Sequence, residues 1–267
     1  MRIWTEMLRS LWRYRHMIMH LTASQLIQRY RGSLLGVLWA LVQPLLMLGI
    51  YSFVFGAIFR PRWMEAGGET SFTLVLFCGL TAYGFFSESL SRSPALNTGN
   101  PNYVKKIIFP LEVLAVTNVL AAFVQSLAGY GILLLAEWWL RGFVPWTAWL
   151  LPVAILPFFL ITLALSWIFA ALSVYLRDIE NMMGLMLSGL MFLSPVFYSL
   201  QAVPEKVRPF FYLNPVTWVV EDLRRVLLWG EGLNWKVWLL QLIAAWILLG
   251  LAYRLFKKLQ PGFADVL

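Results

Sequence analysis

Charge is scarce in this 267-residue chain: Asp, Glu, Lys and Arg together make up 13% of it, about half the share of an average soluble protein. With 60% hydrophobic residues and a mean hydropathy of +0.72, a soluble domain of this size would lack the polar groups to cover its surface. Disorder needs low hydrophobicity and high charge, so it is excluded too. Cysteine is nearly absent. The single Cys78 excludes an intrachain disulfide and a Cys-rich metal site, and reads as a small buried apolar residue. Acidic residues are outnumbered, 13 against 21 basic ones. In a soluble domain a net +8 would suggest nucleic acid. In a membrane protein it is explained by Lys- and Arg-rich inner loops, so no nucleic-acid partner is expected.

Chemistry-bearing motifs are also missing. No Gly-x4-Gly-Lys-Ser/Thr loop offers amide groups and a Lys to phosphates. There is no Gly-x-Ser-x-Gly elbow and no His-Glu-x-x-His pair. Catalysis by this chain, or a cofactor or metal held by it, is not expected. His16 and His20 are four apart, which permits metal binding, but no third ligand is near and a solvated face fits better. Intramembrane charges usually mark ion-coupled transport. Only Glu88 qualifies, near the inner end of a span where its carboxylate can reach interfacial water. Any energy source must then lie in another subunit.

What is present is a series of uncharged stretches near the roughly 20 residues that cross a bilayer. They predict an all-α polytopic membrane protein with six spans at about 34–59, 70–91, 113–137, 152–174, 181–200 and 236–256. The apolar stretch around Phe210, Phe211 and Tyr212 is too short to cross, so residues 199–229 read as a re-entrant or interfacial helical pair. Placing the N-terminus inside puts 13 of the 21 Lys and Arg residues on the inner side. Both termini are therefore expected to be cytoplasmic, in the cytoplasmic (inner) membrane. No cleavable signal peptide is expected, because the first apolar run is longer than a signal core and starts more than thirty residues in.

Before the first span, residues 1–31 form a separate head, followed by a transmembrane domain over 32–267. At 100° per residue, Arg2, Glu6, Arg9, Arg13, His16 and His20 share one face. Trp4, Met7, Leu8, Leu11, Tyr14 and Ile18 share the other. Arg15 breaks the pattern and has to snorkel. Such a helix is expected to lie on the inner leaflet, either as an anchor or as a docking surface for a cytoplasmic partner.

Specific segments then carry a resemblance. Arg29-Tyr-Arg-Gly-Ser-Leu-Leu-Gly-Val-Leu-Trp39 and Gln43-Pro44-Leu-Leu open the series. Lys105-Lys-Ile-Ile-Phe-Pro-Leu-Glu112, Tyr175-Leu-Arg-Asp-Ile179 and Ser194-Pro-Val-Phe-Tyr198 follow, running on to Asn214-Pro215. In this order they resemble the membrane (permease) subunits of ABC-2 type polysaccharide exporters of the O-antigen or teichoic-acid kind. The resemblance implies a homodimeric pore over two copies of a separate ATP-binding subunit, which holds ATP and Mg. It also implies a lipid-linked polysaccharide as cargo. An ABC-2 exporter of drugs or simple lipids is the alternative.

Site residues follow from this frame. The coupling surface for the ATPase is expected at Tyr103, Lys105 and Lys106, at the Arg177-Asp178 turn, and on the head at Arg9 and Arg13; Lys105 and Lys106 also satisfy the positive-inside rule. Arg29 and Arg31 can hold a phosphate bidentately, and a lipid carrier has a pyrophosphate head group. They serve equally as an anchor to anionic phospholipid. Sugars offer apolar faces that stack on aromatic rings, so the channel wall is placed at Tyr51, Phe55, Phe192, Phe197, Tyr198, Phe211 and Tyr212. Tryptophans such as Trp138, Trp139, Trp146 and Trp149 gather at the outer side, either as an interface belt or around an exit mouth and a periplasmic export partner. Pro44 is expected to bend the first span. Glu221, Asp222, Arg224 and Arg225 are spaced for local ion pairs or for an outer gate.

Overall fold

The computed structural model describes residues 2–54, 72–105 and 109–266. Every regular element among them is helical. Helices α1 (Arg2–Arg13) and α2 (Arg15–Arg29) form the head. A short 3-10 turn leads into α3 (Trp39–Tyr51), and α4 (Phe72–Arg92) follows. Two single-turn helices, α5 (Ala95–Thr98) and α6 (Pro101–Val104), precede α7 (Glu112–Arg141) and α8 (Leu151–Leu172). Then come α9 (Asp178–Phe192), α10 (Arg208–Phe211), α11 (Pro215–Leu227), α12 (Trp235–Leu259) and a terminal turn, α13 (Phe263–Val266).

Five helical stretches are long and apolar enough to cross a bilayer: Gly36–Val54, Phe72–Arg92, Glu112–Arg141, Trp146–Leu172 and Trp235–Val266. They match the first four and the last of the six expected spans, and the chain is a multi-pass membrane protein. The stretch expected at 181–200 differs. Helix α9 has 15 residues, about 22 Å at 1.5 Å per residue, against a hydrocarbon core of about 30 Å. Hydropathy continues past Phe192, but the backbone does not, because the Ser194-Pro195 step cannot extend the helix. Pro44, by contrast, sits inside α3, which stays helical through it.

Helix α4 is the centre of the bundle, packed against α7, α8, α9 and α11, while α8 and α12 form the most extensive pair. Polar side chains lock the Glu112 end of the bundle. Asn118 Nδ2 donates to the Ser89 carbonyl at 2.8 Å, and the Ser93 and Ser166 hydroxyls meet at 2.7 Å. Asn97 Nδ2 donates to the Ala170 carbonyl at 2.7 Å, which fixes α5 on α8. In hydrocarbon such groups have no water to turn to, so internal partners are obligatory. Helix α3 is held along one side only, by α7 and α4, and its large apolar side chains are otherwise exposed.

The head is broken at Tyr14 into two helices, and one side of it packs on α12 and α7. Trp4 stacks on Trp246 of α12 with ring centroids 4.9 Å apart, and Met7 is buried. Gly250 makes this possible, since a Cβ there would come within 2.3 Å of the Trp4 ring. Ser10 Oγ donates to Glu112 Oε1 at 2.8 Å, and the Lys257 ammonium reaches the same oxygen at 2.9 Å. One carboxylate thus ties α1, α7 and α12 together. Helix α2 then runs against α7, with Gln25 bonded to Thr117 at 3.3 Å. The expected apolar face does point to this packing, Leu8 excepted, which is half exposed.

After α9 the chain turns through Pro195 and Val196 into the expected helical pair. Two buried side chains hold this break. Asn214 donates to the Leu193 carbonyl at 3.2 Å and to the Ser194 hydroxyl at 2.8 Å. Arg224 of α11, fully buried, donates to the carbonyls of Pro195 at 2.7 Å, Val196 at 2.9 Å and Val75 at 3.3 Å. Its charge faces Glu221 at 3.3 Å. Gly79 leaves room for the guanidinium, because a Cβ there would sit 3.2 Å from Arg224 Nη2.

Candidate functional site

A cluster of three charged groups lies where α2, α4 and α7 converge. Glu88, one turn from the end of α4, accepts Arg29 at 2.8 Å and Arg92 at 3.1 Å. Arg29 also donates to Gln125 of α7. The Arg29 side chain is only 7% exposed. Burial pulls its guanidinium below the ordinary value, and the Glu88 carboxylate opposes that pull. Around these groups is a cavity of about 710 Å³ lined by Gln25, Gln28, Tyr30 and Asn118 as well. Two donors in its wall, Arg29 Nε and the Tyr30 hydroxyl, have no hydrogen-bond partner among the described residues. Buried donors are normally satisfied, so this wall has spare capacity for acceptor oxygens.

A second cavity, of about 380 Å³, shares Gln43, Glu88 and Gln125 with the first. Its wall is largely apolar, with Pro44 and Met47 of α3 facing Phe77 and Leu80 of α4. The pair makes one amphipathic recess, charged at the Glu88 end and apolar along α3. Its chemistry suits a molecule with an anionic head and an apolar body.

The expected head-group residues divide. Arg29 lines the recess; Arg31 is exposed in the turn after α2 and does not. Arg92 takes its place, as a second guanidinium on the same carboxylate. The i,i+4 spacing of Glu88 and Arg92 was a usable signal for that pair. Nothing local announced that Arg29, 59 positions away, would complete it.

The expected channel aromatics divide as well. Phe192 and Phe197 stack at 6.1 Å, and Tyr198 meets Phe211 edge-on at 6.2 Å. The Tyr198 hydroxyl donates to the Phe192 carbonyl at 2.6 Å, and Trp218 Nε1 donates to the Tyr212 carbonyl at 2.6 Å. Phe192, Phe197, Tyr198 and Phe211 are thus linked as an aromatic collar at the break after α9, and Tyr212 is the next residue in the chain, with Phe192 and Tyr212 exposed. Tyr51 is elsewhere: it faces the apolar half of the recess. Phe55 lies outside the described residues. Tyr83 of α4, not singled out from sequence, bonds the Leu187 carbonyl of α9 and also lines the recess.

At the expected coupling surface, Tyr103 stacks on Phe109 at 4.4 Å, which folds α6 back against the start of the following segment. Lys105 is exposed, and Lys106 lies outside the described residues. Arg9, Arg13, Arg177 and Asp178 are exposed. The Arg177 turn is pinned by Tyr175, whose hydroxyl donates to the Leu259 carbonyl at 2.9 Å. Of the four charged groups on α11, Glu221 and Arg224 pair locally, whereas Arg225 reaches Glu231 beyond the helix at 3.2 Å. No group of three or more His, Cys, Asp or Glu residues suited to a metal exists among the described residues.

Comparison with known proteins places this architecture. The O-antigen export system permease of Klebsiella pneumoniae is 27% identical over 249 residues, covering 92% of this chain and 93% of that protein. The O-antigen export system permease of Myxococcus xanthus is 27% identical over 201 residues, 75% of each chain. The polysialic acid transport protein of Escherichia coli is 26% identical over 217 residues, 77% of this chain and 80% of that one. The profile of the ABC-2 type transporter family matches residues 16–228, from the head through α11, and the chain belongs to that family.

Proposed function

We propose that this chain is the membrane subunit of an ATP-driven exporter that carries a lipid-linked polysaccharide, of the O-antigen, capsule or teichoic-acid class, across the cytoplasmic membrane. The observation that carries this reading is the likeness, over nearly the whole chain, to permeases named for O-antigen export. The amphipathic recess supports it. A phosphate-bearing lipid carrier has the anionic head and apolar body that Arg29, Arg92 and the α3 groove would receive. No comparison favours the alternative cargo of drugs or simple lipids.

In this reading both termini are cytoplasmic, and α9 with the turn after it serves as the fifth of six crossings. The α10–α11 pair re-enters from the outer side. Two copies form the pore, with the exposed faces of α3 and α9 toward one another. Two separate ATP-binding subunits supply hydrolysis and hold ATP and Mg, and they dock on Arg9, Arg13, Lys105, Lys106 and the Arg177-Asp178 turn. The collar lines the path of the sugar chain, and the outward tryptophans meet a periplasmic export partner.

The test is copurification with the ATP-binding subunit encoded beside this chain, followed by ATP hydrolysis in nanodiscs. Lipid-linked glycan from the same cells is expected to stimulate hydrolysis several-fold. Stimulation by simple lipids or drugs instead, with none by the glycan, overturns the reading.

A further inference from the structure

A third cavity, of about 550 Å³, lies between α11 and the first turns of α12, at the end of the bundle opposite Lys257. Its volume is within the roughly 300–1,000 Å³ of small-molecule sites. Six of its residues define its chemistry: Tyr212, Thr217, Trp218, Asp222, Asn234 and Gln241. Two of them carry unmet hydrogen-bonding capacity. Thr217 is fully buried and Asp222 is 7% exposed, yet Thr217 Oγ1 and Asp222 Oδ2 have no partner among the described residues. Gln241 lines the same wall as the Asp222 carboxyl. The other charges nearby are already engaged, Arg225 with Glu231 and Glu221 with Arg224.

A wall with two aromatic rings, two amides, one hydroxyl and a carboxylate with a free oxygen matches a particular ligand. A pyranose presents hydroxyls, each both donor and acceptor, together with an apolar C–H face that stacks on an aromatic ring. An anion is disfavoured, because among the described residues the cavity is lined by two carboxylates, Glu221 and Asp222, against one cation, Arg225, which itself faces Glu231 at 3.2 Å. The cavity also adjoins the aromatic collar in the chain: Tyr212, which lines it, directly follows Phe211, and its carbonyl holds the Trp218 indole at 2.6 Å.

We propose that this cavity is a saccharide-binding site on the outer side of the protein, taking a neutral pyranose unit through Asp222, Thr217 and the Trp218 ring. It rests on the reading above, that this end faces outward and the cargo is a polysaccharide, and gives the emerging chain a holding point beside the collar.

The experiment uses the full chain copurified with its ATP-binding subunit in nanodiscs. The probes are methyl glycosides of a hexose, an N-acetylhexosamine and a deoxyhexose, followed by tryptophan fluorescence and saturation-transfer NMR. At least one probe is expected to bind in the millimolar range. Asp222→Asn and Trp218→Ala should each weaken it at least tenfold, while Leu140→Ala, at an exposed position of the same end, leaves it unchanged. If Trp218→Ala fails to fold, Trp218→Tyr should retain binding and Gln241→Ala should reduce it. Binding unaffected by every cavity variant overturns the proposal. So does the absence of binding by all probes, or a phospholipid retained in the cavity by native mass spectrometry. Polymer export is scored separately in cells: export that persists without sugar binding removes the site but not the exporter, whereas loss of the glycan response of the ATPase removes the exporter reading itself.

Discussion

Arg29 and Glu88, 59 positions apart, meet at 2.8 Å in the charged half of the recess, and Arg92 closes on the same carboxylate at 3.1 Å. Glu88 lies between two guanidinium groups, an arrangement that would also suit a phosphate. If it is a stand-in anion, removing its charge frees both arginines. Glu88→Gln is then expected to tighten binding of a pyrophosphate-bearing isoprenoid lipid several-fold, and Arg29→Ala to weaken it at least tenfold. A purely architectural ion pair predicts the same loss from both variants. Binding of a fluorescent lipid analogue to nanodisc-embedded protein separates the two outcomes.

The Arg224 guanidinium is fully buried and spends its donors on three main-chain carbonyls. Arg224→Met removes those donors, and buried acceptors left unpaired cost about 1–3 kcal/mol each. A net loss of at least about 2 kcal/mol is expected, which for a chain of this size lowers Tm by about 4–8 °C. Gly79→Val should act in the same direction, since its side chain invades the guanidinium's space. The two losses should not add, because they break one contact. Thermal unfolding in detergent of the single and double variants is the measurement. Additive losses would contradict a shared mechanism.

How much of this was legible in the sequence depends on whether the information was local. The 100° periodicity of residues 4–18 found the side of the head that packs, because Met7 and Ile18 are buried. It could not say that the cover is α12 and α7. Periodicity reports a face, not its partner, and the residue that admits Trp4 is Gly250, far along the chain. Four spans and the last helix were readable from uncharged length alone. At 181–200 one unbroken helix was expected, and the helix runs only over Asp178–Phe192, because hydropathy sees apolar side chains and not the backbone break at Pro195. Glu221 and Arg224 were correctly spaced for a pair, but the carbonyls that bind Arg224 belong to α4 and to the break after α9. Aromatic residues at Phe192, Phe197, Tyr198, Phe211 and Tyr212 were found together because short turns keep them close. Tyr51 was grouped with them as an aromatic of the first span, four residues from Phe55, and in the fold it faces the recess.

The Trp4–Gly250 contact makes the docking of α1 testable. Gly250→Ala would put its Cβ within 2.3 Å of the Trp4 ring, and overpacking of this kind costs about 1–3 kcal/mol. The expected result is release of α1, seen as faster hydrogen exchange over residues 2–13 with α8 unchanged. Trp4→Ala in the Gly250→Ala background should add little, since the contact is already lost. Unaltered exchange in Gly250→Ala would show that α1 is held chiefly by Met7 and by the Ser10–Glu112 bond.

Lys105 is exposed one residue after α6, on a segment fixed to the bundle through α5. Load applied at this point is transmitted to α8 through the Asn97–Ala170 and Ser173–Pro94 hydrogen bonds, both at 2.7 Å. Charge reversal at Lys105 and Lys106 is expected to leave membrane insertion and folding intact; at the exposed Lys105, such a substitution changes stability by no more than about 0.5 kcal/mol. Basal ATP hydrolysis by the partner should continue, while polymer export falls at least tenfold. Asn97→Ala should also lower export, with the lysines untouched, because it cuts the connection rather than the docking surface. If the pair's role is only to hold the loop on the inner side, charge reversal instead reduces insertion and leaves export per inserted molecule unchanged. Quantifying membrane-inserted protein, hydrolysis and export in the same cells distinguishes a mechanical coupling point from a topology signal.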